Sequence, residues 1–107
     1  MTRIRRGDIW WYEPLDAKSR PVCVITRDPA IEVLNRVIVV PATTRGRSLP
    51  TEVQLGRSLD GMPRDCVLSL DNAQVVDKAL LTRRMTRLRP AKMREVCRAL
   101  AIATGCS

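Results

Sequence analysis

Histidine and phenylalanine are absent from this 107-residue chain, and its aromatic side chains are three neighbours, Trp10, Trp11 and Tyr12. Without histidine, no side chain has an ordinary titration range spanning neutral pH, and no imidazole can ligate a metal. Without phenylalanine, the interior has to be assembled from Val, Leu, Ile, Ala and Met. No run approaches the roughly 20 apolar residues needed to cross a bilayer as a helix. The opening MTRIRRGDIW lacks the apolar segment of a secretory leader, so a cytoplasmic location without membrane association is expected. The four cysteines, Cys23, Cys66, Cys97 and Cys106, form no C-x-x-C pair, which argues against a zinc site or a disulfide framework. Cys23, Cys66 and Cys97 stand among apolar residues and read as small core residues, whereas Cys106 is expected to be exposed. No linker, repeat or low-complexity tract interrupts the chain, and its length fits one domain over residues 1–107.

Charge of one sign is in excess. Nineteen basic residues face eleven acidic ones, a net charge of +8, and sixteen of the cations are arginine. A guanidinium is a flat fork that matches phosphate oxygens two at a time, whereas an ammonium is a point charge. The balance suggests a polyanionic partner, most simply a nucleic acid. An arginine-rich composition without any binding role would look the same, so charge alone leaves the partner open.

The pattern along the chain is one of short strands. IWWYE has high β propensity. PVCVIT (residues 21–26) is a near-continuous apolar run, as in a strand covered on both faces. DPAIEVLN (residues 28–35) opens with Asp and Pro in helix-starting positions. RVIVVPATT (residues 36–44) is the strongest strand signal, with Pro41 expected to stop it. RGRSLP is a basic loop, and TEVQL alternates like an exposed edge strand. DGMP marks a turn, DCVLSL and AQVV are two further strands, and ALLTRRMTRL reads as a helical turn followed by a strand over residues 85–88. The final segment is an amphipathic helix with Pro90 in its first turn, Met93, Val96, Cys97, Leu100 and Ala103 at helical spacing, and Gly105 as its stop. The expected fold is mostly β with a C-terminal helix: a small, strongly bent antiparallel sheet or open barrel, its strands too close together for parallel crossovers.

Taken in order, RRGDIWWYE, SRPVCVITRD, VIVVPATT, a strand ending in LDN and a Pro-led final helix resemble the MazF/PemK family of toxin endoribonucleases from toxin–antitoxin pairs. The resemblance covers nearly the whole chain. It implies an SH3-like barrel working as a homodimer, single-stranded RNA as substrate, and a MazE-like antitoxin with an acidic tail as partner. It also implies cleavage without a metal or other cofactor, the 2′-OH attacking the adjacent phosphorus to leave a 2′,3′-cyclic phosphate and a 5′-OH.

That reaction needs a base for the 2′-OH, an acid for the departing oxygen and cations or donors for the crowded phosphorane. The resemblance makes Arg20, immediately before Pro-Val, a catalytic residue. A guanidinium stays charged at any working pH, so its physical role is to clamp phosphate. Thr43 matches a family threonine and offers a hydroxyl donor. Asp71 matches an acidic residue of one family branch and is the best-placed carboxylate for proton transfer, although LDN is also a good turn sequence. Ser69 and Asn72 are candidate base readers, Thr44, Arg45 and Arg47 candidate RNA contacts, and one of Trp10 and Trp11 is expected in the core with Trp11 a candidate for base stacking. The loop EPLDAKS departs from the family pattern, being short and without Gly or His, which puts its closure over RNA in question. Two other readings stay open: a CcdB-like toxin of similar fold that binds DNA gyrase, and a catalytically inactive basic nucleic-acid-binding module.

Overall fold

Seven strands form one sheet: β1 (Asp8–Tyr12), β2 (Arg20–Val24), β3 (Arg36–Thr43), β4 (Glu52–Leu55), β5 (Cys66–Ser69), β6 (Gln74–Asp77) and β7 (Leu81–Arg87). They are seen in a computed structural model that describes residues 3–106. All pairings are antiparallel, in the order β4-β5-β3-β2-β1-β7, with β6 also joined to β3. The path does not return from β7 to β4, so the expected barrel is an open, bent sheet. Three helices complete the chain: α1 (Asp28–Ile31), α2 (Arg57–Asp60) and α3 (Pro90–Thr104). At the end of α3, Gly105 takes a left-handed φ of 72° and the Cys106 N–H reaches back to the Ala101 carbonyl at 2.8 Å, the turn for which glycine is suited.

The sheet separates two apolar clusters by strict alternation of its side chains. Ile9, Cys23, Val40 and Leu68 pack with Val96 and Ala99 of α3. Trp10, Val22, Val24, Val37 and Val39 pack on the opposite face with Ile31 of α1. The run PVCVIT is therefore apolar at both parities because both faces of β2 are covered. Trp10 is the core tryptophan. Cys97 departs from its expected core position and is exposed. It follows Val96 by about 100° of helix rotation, which turns it from the sheet toward Arg6, whose Nη2 donates to its sulfur at 3.2 Å.

Asp8 explains much of RRGDIW. It is fully buried, yet its carboxylate accepts from the Arg5 N–H and Trp10 Nε1 at one oxygen and from Arg87 Nε at the other. A buried charge is tolerable when paired and hydrogen-bonded in this way, and the cluster ties the N-terminal turn to β1 and β7.

The first helix is a single turn ending at Ile31, and Val33 and Leu34 beyond it are exposed. Two boundaries differ from expectation. Strand β7 begins at Leu81, four residues earlier than expected, since its basic stretch pairs with β1 as a sheet edge, where charge is tolerated. Pro41 does not stop β3 but lies inside it. Ile38 bonds toward β2 through both its N–H and its carbonyl, so alternation turns Pro41 toward the opposite side. There β6 pairs up to Val39 and β5 resumes at Ala42. The proline's missing N–H thus falls in a gap of the ladder, where it forfeits no bond.

Candidate active site

That gap organises the candidate site. Between the pairs Ala42↔Leu68 and Val39↔Gln74, residues 40–41 of β3 face residues 69–73. The longer segment bulges outward as a 3-10 turn, Leu70–Asn72, carrying Asp71 and Asn72 with it. Beside it, β2 contributes Arg20 and β3 contributes Pro41 and Thr43. Register puts Tyr12 opposite Arg20 and Val22 opposite Pro41, so Tyr12, Arg20, Pro41 and Thr43 share one face of the sheet.

The result is a groove of about 840 Å³ that brings together Arg20, Thr43, Arg45, Arg47, Ser69, Asp71 and Asn72. Trp11 and Thr44 do not line it. Each stands one residue from a groove position, and a one-residue step along a strand turns a side chain to the other face. The aromatic residue in the groove is Tyr12, which was not singled out from the sequence because its place there depends on the β1–β2 register. The short loop before β2 also reaches the groove, through Asp16 and Lys18 without glycine or histidine.

Among the described residues Arg20 makes no ion pair, and its side chain is exposed. The Thr43 hydroxyl oxygen accepts the Arg45 N–H at 3.1 Å, which leaves its proton available to donate outward. Glu52 is spent on the loop between β3 and β4: its carboxylate accepts the Arg47 N–H at 2.9 and 3.0 Å and the Leu49 N–H at 3.2 Å. Asp71 accepts the Thr51 hydroxyl at Oδ2, at 2.5 Å. Asn72 Nδ2 donates to Ser69 Oγ at 2.8 Å, so its amide oxygen stays free of that bond. Thr51 and Glu52 were not singled out from the sequence. Nothing in TEVQL distinguishes them from ordinary edge-strand residues until the fold sets them against the loop and the bulge.

Lys18, Arg20, Arg45 and Arg47 thus surround the same groove as Asp16, Glu52 and Asp71. Such a lining can hold a phosphodiester on fixed cations, with a hydroxyl donor and a carboxylate at hand for proton movement. The model of the PemK-like, MazF-like toxins of type II toxin–antitoxin systems matches residues 5–104. The chain belongs to that family. Its relatives include a probable endoribonuclease MazF5 of Mycobacterium tuberculosis, 42% identical over 102 residues, with 95% of this chain and 94% of the relative covered. Among solved structures, an endoribonuclease in complex with its cognate antitoxin from a mycobacterial species superposes with a TM-score of 0.88 at 26% identity, covering 98% of both chains. The M. tuberculosis toxin MazF-mt6 superposes with a TM-score of 0.84 at 31% identity, over 94% of this chain and 98% of the other. The family's mostly antiparallel sheet with a C-terminal helix is the architecture described above. No helix among the described residues is long and apolar enough to cross a membrane.

Proposed function

We propose that this chain is an endoribonuclease toxin that cuts single-stranded RNA, acting in the cytoplasm as a homodimer of one-domain subunits and neutralised by an acidic antitoxin. The observation that carries the reading is the convergence of Arg20, Thr43 and Asp71 on one groove in a chain whose relatives are probable endoribonucleases. The chemistry follows from what the groove offers. Asp71 takes the proton of a 2′-OH, whose oxygen then attacks the adjacent phosphorus. Negative charge builds on the non-bridging oxygens, where the Arg20 guanidinium and the Thr43 hydroxyl stabilise it. The bond to the 5′-oxygen breaks, that oxygen takes up a proton from solvent water while Asp71 returns its proton to solvent, and a 2′,3′-cyclic phosphate and a 5′-OH remain. No step calls on a metal ion. Arg45 and Arg47 hold flanking phosphates, while Ser69 and Asn72 face unstacked bases, whose edges single-stranded RNA exposes.

The test is incubation of the purified protein with single-stranded RNA in excess EDTA, with cut sites mapped by primer extension and the new ends analysed chemically. Discrete cuts with cyclic-phosphate ends are expected, and Arg20→Ala should retain its fold while losing on the order of 100- to 1,000-fold in rate. Uncut RNA, or full activity in Arg20→Ala, would remove this mechanism, and inhibition of gyrase supercoiling with RNA intact would assign the fold to the CcdB-like reading instead.

A further inference from the structure

We infer that Thr51 is a positioning residue for Asp71, holding one carboxylate oxygen so that the other is presented to the groove. The inference rests on the reading of Asp71 as proton acceptor. Asp71 lies on a three-residue turn within a bulge of the sheet, a place where a short side chain has little to fix its rotamer. Thr51 supplies that constraint from the position immediately before β4. It is buried, at 8% exposure. Its carbonyl accepts the Leu70 N–H at 3.0 Å and its hydroxyl donates to Asp71 Oδ2 at 2.5 Å, so backbone and side chain both bind the bulge to β4.

The other groove carboxylates make the contrast. Glu52 has both oxygens engaged by backbone N–H groups, and Asp16 stands on an exposed loop without a hydrogen bond among the described residues. Asp71 is held at Oδ2 while Oδ1 has no partner among the described residues, which is the state a general base requires. The charged groups around the groove are Asp16 and Lys18 of the β1–β2 loop, Arg20 of β2, Arg45 and Arg47 of the β3–β4 loop, and Glu52 of β4. None of them is altered by a change at Thr51.

The experiment compares Thr51→Val, Thr51→Ser and Asp71→Asn on a defined single-stranded RNA with a mapped cut site. Thr51→Val should lower kcat by on the order of 10- to 100-fold through misplacement of the base and leave KM unchanged. Thr51→Ser, which keeps the hydroxyl, should restore the rate, and Thr51→Val should add nothing in the Asp71→Asn background. If Asp71→Asn is inactive while folded Thr51→Val keeps the native kcat and KM, the inference about Thr51 is overturned and the catalytic reading stands. If Asp71→Asn cleaves at the native rate, the catalytic reading fails and takes this inference with it. Should Thr51→Val not fold, Thr51→Ala against Thr51→Ser isolates the hydroxyl, and identical kcat values for that pair overturn the inference.

Discussion

Burial pushes the Cys23 thiol up to about 12 from its usual 9.0, with Asp8 adding to the rise and Arg6 opposing it. The Cys66 thiol is raised for the same first reason and by Asp65 and Asp60. Because a thiolate is the reactive species, Cys23 and Cys66 should resist a thiol reagent in the native protein at pH 8, whereas the exposed Cys97 and Cys106 should react. Ellman titration should therefore count two fast thiols, rising to four on unfolding. The sign of the pH dependence follows. The folded chain keeps the Cys23 proton to higher pH than the unfolded chain does. That contribution to stability is complete below pH 9.0 and is lost as pH climbs toward about 12. Denaturant midpoints measured between pH 8 and pH 11 should fall, and fall less in Cys23→Ala once its lower starting stability is subtracted.

At the scale of elements, a proline inside the strongest strand is the most informative residue in the chain. A proline within a ladder demands an edge or a bulge. Here the bulge appears on the neighbouring strand, so that β5 and β6 are two halves of one interrupted strand with the Asp71 turn between them. Expecting Pro41 to end β3 treats it as a local stop, but the proline is accommodated by the partner strand, which no local window contains. Alternation accounts for the remaining differences: Arg20 and Thr43 were readable as strand-end residues, while choosing Tyr12 over Trp11 needed the β1–β2 register. The loop between β3 and β4 hangs on one side chain. Glu52→Ala should free the Arg47 and Leu49 amides for hydrogen exchange and cost about 1.5–3 kcal/mol, the range for bonds to a charged acceptor. It should also raise KM for RNA more than it lowers kcat, because Arg45 and Arg47 lose their fixed positions.

For the whole molecule, a net charge of +8 is a statement about encounter with polyanions rather than about fold. Binding of single-stranded RNA should weaken linearly in log–log plots against salt, with a slope of about 0.7 per phosphate neutralised. Removing Arg45 and Arg47 together should reduce that slope by roughly 1.4 if each holds one phosphate, measured by fluorescence anisotropy over a salt series. An unchanged slope would place the RNA backbone elsewhere on the surface.

The strand-rich class, the amphipathic final helix and the cationic surface were determined by the sequence alone, because periodicity, propensity and net charge are local or additive properties of residues. Which of two adjacent residues faces the groove, how β3 passes through its proline, and how Thr51 and Glu52 come to hold Asp71 and the basic loop were decided only in the tertiary structure. Each of these depends on the register between strands distant in the chain, and a shift of a single residue in that register would send a different set of side chains into the groove.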